Sequence, residues 1–203
     1  MKRMTIIAAA SMLLFAACSK DDDNTPVAYN NHSSALMKIM HSMDSAMDAM
    51  TMTMDPDHDF AMMMKEHHMG AVDMANYELA NGTDATIKGM AQMMKDDQTR
   101  EIAQLDSFMM AHTPSGMSMA MMDSMDAAMM RMSTQADAQV LKGNSDHDFA
   151  HLMRVHHQSA IDMARAAKMY AQTPFIKNMA DMIIAAQTQE IAELNAWLNS
   201  GKD

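Results

Sequence analysis

The chain contains two copies of one sequence unit, and this duplication restricts the folds that it can adopt. The segment Asp-His-Asp-Phe-Ala at residues 57–61 recurs unchanged at 146–150, which is 89 residues later. A His-His pair and the segment Gln-Thr-x-Glu-Ile recur at the same spacing, with no gap between residues 57 and 105 of the first copy. The two copies are therefore predicted to contribute equivalent elements to one core.

Apolar residues recur at helical spacing in both copies, and no segment alternates with the period of a strand. Each copy is predicted to form three helices. Their predicted bounds are 34–53, 58–81 and 84–110 in the first copy and 117–138, 147–171 and 173–199 in the second. We predict an all-α fold, a ferritin-like four-helix bundle built from two duplicated helical hairpins, plus two shorter Met-rich helices.

The N-terminal residues have the anatomy of a bacterial lipoprotein signal. Two basic residues precede an apolar run that is too short to span a membrane. The run ends in Phe-Ala-Ala-Cys, which resembles a lipobox, and Cys18 is the only cysteine of the chain. We expect Cys18 to carry the lipid; an ordinary signal peptide followed by an unrelated Cys is the alternative.

This interpretation divides the chain into four parts. They are a signal peptide (1–17), a lipid-anchored tether (18–33), a first repeat (34–112) and a second repeat (113–203), with the two repeats forming one bundle. The expected location is the cell envelope, as an outer-membrane lipoprotein that faces the periplasm or is exposed at the surface.

Each predicted hairpin carries polar residues on its apolar face at equivalent positions. They are His67, His68, Gln98 and Glu101 in the first copy and His156, His157, Gln187 and Glu190 in the second. A buried imidazole or carboxylate is costly unless it has a partner. One interpretation is a His–Glu–Gln hydrogen-bond cluster that fixes the register of each hairpin. The other is a metal site, with His as ligand and the Glu and Gln residues orienting it.

Methionines near the His pairs add further candidate ligands to the predicted metal site. Met64 precedes the His pair by one helical turn, and Met153 repeats this arrangement. His147 and His151 form a weaker pair, also one turn apart. The candidate metal ligands are Met64, His67, His68, Met74, Met153, His156, His157, Met163, His147 and His151. Thioether and imidazole ligands together favour copper over zinc, calcium or magnesium.

The number of methionines also needs an explanation, because they make up 33 of 203 residues. A Met stripe at helical spacing is usually core packing, with Met in place of Leu. Adjacent Met residues, as at 62–64, cannot all face one core, because neighbours on a helix point about 100° apart. Some must face solvent or a groove. Capture of Cu(I) gives them a role, because a thioether is a soft ligand that needs no deprotonation.

The pattern Asp-x-Asp-Phe-Ala-x-x-Met-x-x-His-His-x-x-Ala-x-Asp-Met-Ala, followed by Gln-Thr-x-Glu-Ile, resembles the domain-of-unknown-function family 305. The resemblance covers about 57–109 and 146–198. It implies a secreted bacterial protein with a ferritin-like bundle. Some Met- and His-rich members look like periplasmic copper-binding proteins, which implies a role in copper tolerance. The residues to which this carries over are Met64, His67, His68, Met153, His156 and His157.

The sequence therefore predicts an extracytoplasmic, lipid-anchored protein that sequesters or buffers Cu(I), and also Ag(I) or Cu(II), through Met and His. Its expected partners are copper ions and, through the lipid alone, the membrane. Nucleic acid is not expected, because the net charge is −11 and no basic patch is available. The main alternative is a structural or surface-interaction lipoprotein with a Met-packed bundle. A copper or iron oxidase is a third reading, but Glu-x-x-His, which a ferritin-like di-iron site needs, is missing; no enzyme is expected.

Overall fold

The computed structural model describes residues 31–201. This part of the chain forms six helices and contains no strand, which confirms the all-α prediction. The helices are α1 (Asn31–Asp48), α2 (Pro56–Asn81), α3 (Ala85–Ala111), α4 (Met119–Asp137), α5 (Ser145–Tyr170) and α6 (Pro174–Leu198). Cys18, the signal peptide and most of the predicted tether lie outside the described residues. Among helices α1–α6, none is long and apolar enough to cross a membrane.

The four long helices begin at capping residues. Asp55, Asp84, Asn144 and Thr173 each accept a hydrogen bond from a backbone N–H two or three residues further on. These bonds satisfy donors that have no partner inside the helix. The predicted starts at Asp84 and Thr173 are confirmed, with Pro174 opening α6 as expected for its fixed backbone angle.

Helix α1 differs from its prediction, since it begins at Asn31 and ends at Asp48 instead of spanning 34–53. The Met spacing continues past Asp48, but the backbone does not remain helical. Asp59 accepts hydrogen bonds from the N–H groups of Thr53 and Met54 at 2.9 and 2.8 Å, and Met54 has a positive φ of 71°. A carboxylate on the next helix therefore holds this segment as a loop.

Helices α2 and α3 form one antiparallel hairpin, α5 and α6 form the other, and α2 packs against α5. Helix α1 lies on α2 and α5, and α4 lies on α5 and α1. Phe60 and Phe149, at equivalent positions of the two copies, are fully buried. Methionine supplies much of the remaining core. Buried examples are Met40, Met64, Met74, Met94, Met121, Met125 and Met132.

The repeated Asp-x-Asp motif links the two copies, a role that the sequence analysis did not anticipate. Asp57, in the first copy, accepts hydrogen bonds from residues 172–173 at the turn between α5 and α6, at 2.6–2.9 Å. Asp146 accepts the equivalent bonds from residues 83–84 at the turn between α2 and α3, at 2.8–3.1 Å. Each hairpin turn is thus held by the other copy, so the two hairpins form one interlocked unit.

Candidate metal centre

The two His-His pairs meet where α2 packs against α5. His67, His68, His156 and His157 are all fully buried. The rings of His67 and His156 face each other across the interface with their centroids 3.7 Å apart and a tilt of 37°. Two hairpins related by duplication therefore bring four imidazoles into the centre of the bundle.

Hydrogen bonding fixes how one of these rings, that of His156, is protonated. Nε2 of His156 lies 2.8 Å from the backbone oxygen of His67. A carbonyl oxygen only accepts, so Nε2 of His156 carries the proton and donates it. In a neutral ring the lone pair is then on Nδ1, which has no hydrogen-bond partner among residues 31–201.

The other imidazole of each pair contacts a carboxylate on the facing helix of its own hairpin. Nε2 of His68 lies 2.8 Å from Oε2 of Glu101, and Nε2 of His157 lies 3.0 Å from Oε2 of Glu190. The distances are those of ion pairs, and within the described part of the chain neither Nε2 nor Nδ1 of the two rings makes an aligned hydrogen bond. A carboxylate on one ring nitrogen orients the imidazole and leaves the other nitrogen for a ligand, as in many metal sites.

Several buried polar atoms of the centre are left without partners. Over residues 31–201, neither ring nitrogen of His67 makes a hydrogen bond, and the side-chain amides of Gln98 and Gln187 make none. Buried polar groups in native proteins are nearly always paired, so each exception calls for an explanation. The structure brings Glu101 and Glu190 to the histidines, but it gives the two glutamines no hydrogen bond to them.

Burial favours the neutral form of the two imidazoles that face each other, His67 and His156. Burial, followed by the neighbouring histidines, holds the pKa of His67 and of His156 well below the usual value of 6.5. Neutral imidazole is the form that binds a metal ion. The centre therefore presents unprotonated ring nitrogens at neutral pH without having to release protons first.

The predicted Met ligands are buried in the same core. Met64 and Met153 lie one turn before the His pairs, Met74 and Met163 lie further along the same helices, and all four are fully buried. Within residues 31–201, no three His, Cys, Asp or Glu side chains are arranged as a metal-binding group.

His147 and His151 form a separate pair at the start of α5. Their ring centroids are 4.3 Å apart. Nδ1 of His147 lies 3.1 Å from Oδ1 of Asp148, and Nδ1 of His151 lies 3.1 Å from Oε1 of Gln139. Burial, then the charges of His147 and Arg154, lowers the pKa of His151 to about 4. His147 precedes His156 by about 13 Å of helix, and the ring of His151 is directed to Gln139, just after α4, so this pair is separate from the central rings.

A groove between α1 and α4 was not predicted as a site. It encloses about 510 Å³ and is lined by Asp44, Met47, Asp48, Met50, Met52, Met63, Met122, Asp126, Met129, Met130 and Ser133. The adjacent methionines were the available signal. In the pairs at 121–122 and 129–130, the first Met is buried in the core and the second lines the groove, so the expectation that some Met residues face solvent or a groove is confirmed.

The comparisons agree with this architecture. The model of the family described as domain of unknown function (DUF305) matches residues 14–109 and 57–198. A crystal structure of a DUF305 fragment from Deinococcus radiodurans has a TM-score of 0.54 at 22% identity, covering 71% of this chain and 95% of the fragment. This likeness supports the fold.

Two further solved structures are similar at higher identity. CopM in the apo form has a TM-score of 0.55 at 26% identity, with 72% of this chain and 98% of CopM covered. CopM in the Cu(II)-bound form has a TM-score of 0.56 at 30% identity, with 70% and 95% covered. No curated protein matches in a sequence search. With its family model matching from residue 14 to residue 198 in two overlapping segments, this chain belongs to the DUF305 family.

Proposed function

We propose that this protein binds copper in the cell envelope and sequesters or buffers it, mainly as Cu(I), through His and Met side chains. The observation that carries the proposal is the set of buried, neutral imidazoles with unpartnered ring nitrogens between α2 and α5. A purely structural core would be more stable with apolar groups there, because unsatisfied buried polar atoms cost about 1–3 kcal/mol each.

The choice of copper rests on two supports. CopM, which is 30% identical over most of its length, has been solved with Cu(II) bound. The residues here also fit copper, since imidazole suits Cu(II) and thioether suits Cu(I). The preference for Cu(I) follows from the abundance of Met and from the absence of any Cys besides Cys18, because thiols outside the cytoplasm tend to form disulfides.

The envelope location rests on the N-terminal sequence alone. We propose that the chain is cleaved before Cys18 and anchored by lipid on that residue, so that the bundle stays outside the cytoplasm. The role is binding and not catalysis, with the copper ion as cargo. Incorporation of radiolabelled palmitate that is lost in Cys18→Ser would support the anchor, and equal labelling of both proteins would contradict it.

The copper proposal is tested by anaerobic titration of the full chain with Cu(I) against a chromophoric chelator. The variant is His67→Leu with His156→Leu, which removes the central imidazoles and keeps the volume filled. The matched control is His32→Leu with His41→Leu, which removes two histidines outside the centre. We expect the wild type and the control to compete with the chelator and the central variant to lose the tightest binding.

Two results would contradict the proposal. If the wild type did not compete at all, the chain would be a Met-packed bundle with a structural or surface-interaction role. If the central variant bound as tightly as the control, copper would bind elsewhere on the chain. Circular dichroism of each variant separates loss of binding from loss of fold.

A further inference from the structure

The groove between α1 and α4 is chemically unlike the rest of the surface. Seven of its eleven lining residues are methionines, and they come from α1, from the loop after it, from α2 and from α4. Residues from both copies are needed, because α1 and α2 belong to the first repeat and α4 to the second. The concentration of Met therefore results from tertiary packing and not from one helical stripe.

Packing alone does not explain these methionines. Met47, Met63 and Met129 are 2–5% exposed and form the floor of the groove. Met50, Met52 and Met122 are half-buried, and Met130 is 72% exposed. A solvent-accessible Met is flexible and open to oxidation, and it contributes less to a unique core than Leu would.

Three carboxylates lie among the thioethers. Asp44 accepts a hydrogen bond from Oγ of Ser133 at 2.6 Å, so it is held in place on the α1 side. Asp126 faces it from α4, and burial followed by the charges of Asp123 and Asp48 raises the pKa of Asp126. No Lys or Arg is among the described residues that line the groove, so the three carboxylates give it a negative potential, which attracts a cation.

The ligand type selects the ion. Thioethers are neutral and soft, and they bind Cu(I) and Ag(I), whereas Mg²⁺ and Ca²⁺ require oxygen ligands. Flexible Met side chains can adjust their sulfur positions to an ion. We propose that the groove between α1 and α4 is a second site that binds a soft monovalent cation, Cu(I) or Ag(I), through Met thioethers. It deepens the proposed copper function but uses none of the central histidines, so the two sites can fail separately.

The test uses Ag(I), which binds like Cu(I) but does not change oxidation state. The full chain is labelled with ¹³C at the Met methyl groups and titrated with silver nitrate in chloride-free buffer. All proteins carry Cys18→Ser, so that the thiol does not bind the ion. We expect the methyl signals of Met47, Met63 and Met129 to shift, with assignment from single Met→Leu variants.

The groove variant is Met47→Leu, Met63→Leu and Met129→Leu. The matched control is Met40→Leu, Met94→Leu and Met132→Leu, which changes three equally buried methionines outside the groove. Met→Leu is nearly volume-conserving and costs less than about 1.5 kcal/mol per site, so both variants should fold. Measured at the methyl groups of Met50, Met52 and Met122, which remain in the groove, Ag(I) should bind the groove variant at least about tenfold more weakly than the control, the lower end of the loss seen when support for a metal is removed.

The His67→Leu, His156→Leu variant distinguishes the two proposals. Retention of the Met shifts in this variant would support an independent groove site, whatever happens to copper at the centre. The groove proposal is overturned if the groove variant binds Ag(I) like the control, if the shifted methyls lie outside the groove, or if Ca²⁺ produces the same shifts. Loss of all Ag(I) binding in the histidine variant alone would also overturn the groove proposal, and it would support the central site.

Discussion

Two polar regions of this bundle, built from the same repeated sequence, are treated in opposite ways. At the hairpin turns, Asp57 and Asp146 are buried and accept several hydrogen bonds each. At the centre, His67 and the two glutamines are equally buried, and within residues 31–201 their side chains make no hydrogen bond. The buried polar groups at the turns are thus satisfied by hydrogen bonds within the fold, whereas several of those at the centre are not.

The first prediction concerns the hairpin turns, where the buried carboxylates are satisfied by hydrogen bonds. Asp57→Ala leaves the backbone N–H groups of residues 172–173 and the Thr173 hydroxyl without their acceptor. Loss of several such bonds should lower the free energy of unfolding by about 3 kcal/mol, measured by urea denaturation. Asp146→Ala should behave alike. Asp73→Ala, at an exposed position of α2, is the control and should stay within about 0.5 kcal/mol of wild type.

An Asp57→Ala protein as stable as the Asp73→Ala control would show that the copies do not hold each other's turns. The Asp-x-Asp repeat would then need another explanation.

The second prediction concerns acid stability of the metal-free protein. The pKa values of His67 and His156 are lowered in the folded state, so their contribution to stability is complete above the unfolded value of 6.5. It is lost as pH falls below 6.5, because the unfolded chain then binds more protons. Two such groups can remove up to about 2.7 kcal/mol per pH unit. Urea denaturation between pH 7 and 5 measures this slope.

The His67→Leu, His156→Leu variant should lose this acid slope. At pH 7 it should be at least as stable as the wild type, because its core contains fewer unsatisfied polar atoms. A variant that is strongly destabilised at pH 7 would instead indicate that the histidines hold the hairpins in register.

The regular part of this architecture was predictable because it depends on local periodicity. The duplication, the four long helices and the caps at Asp84 and Thr173 could all be located in the sequence. The pairing of each outer histidine with a glutamate was within reach, because His68 and Glu101 share one hairpin face. The end of α1 was not, because the hydrogen bonds from Thr53 and Met54 to Asp59 that hold the following loop leave no trace in the helical spacing.

The contact between the central histidines and the groove could not be predicted from the sequence, because both depend on how separate helices pack. The 3.7 Å approach of His67 to His156 depends on how α2 packs against α5. The groove depends on the placement of α1 against α4, and helical spacing within one segment carries no information on either.

A third prediction addresses the carboxylates that contact the outer histidines. Glu101→Gln with Glu190→Gln removes the charges next to His68 and His157. If these glutamates orient metal-binding imidazoles, affinity for Cu(I) should fall about 10- to 100-fold in the chelator competition. Glu193→Gln, in the same helix α6 but bonded to Gln189, serves as the control. Equal affinity of both variants would assign the glutamates to hairpin stability alone.

Glu78 provides the most specific test and the smaller of the two slopes per pH unit, because it is a single buried carboxylate without a counterpart in the second copy. It is fully buried and accepts a hydrogen bond from Oγ of Ser145 at 2.7 Å. Burial first, and Asp146 next to it, raises its pKa to about 8. The equivalent position of the second copy is Ala167, so only one turn carries this group. The folded chain therefore holds a proton here that the unfolded chain releases above pH 4.5.

Glu78 therefore changes the free energy of unfolding with pH in the direction opposite to His67 and His156. The stability that Glu78 contributes is complete below pH 4.5 and is lost as pH rises to about 8, by up to about 1.4 kcal/mol per pH unit. Glu78→Gln keeps the hydrogen bond from Ser145 and removes the ionisation, so its free energy of unfolding should not show this decline between pH 6 and 8. Glu193→Gln is the control, because it changes a half-buried carboxylate that is hydrogen-bonded to Gln189, and it should retain the wild-type slope. If the free energy of unfolding of Glu78→Gln fell between pH 6 and 8 as in the wild type, a group other than Glu78 would hold the proton. The two turns would then respond alike to pH, despite their different residues.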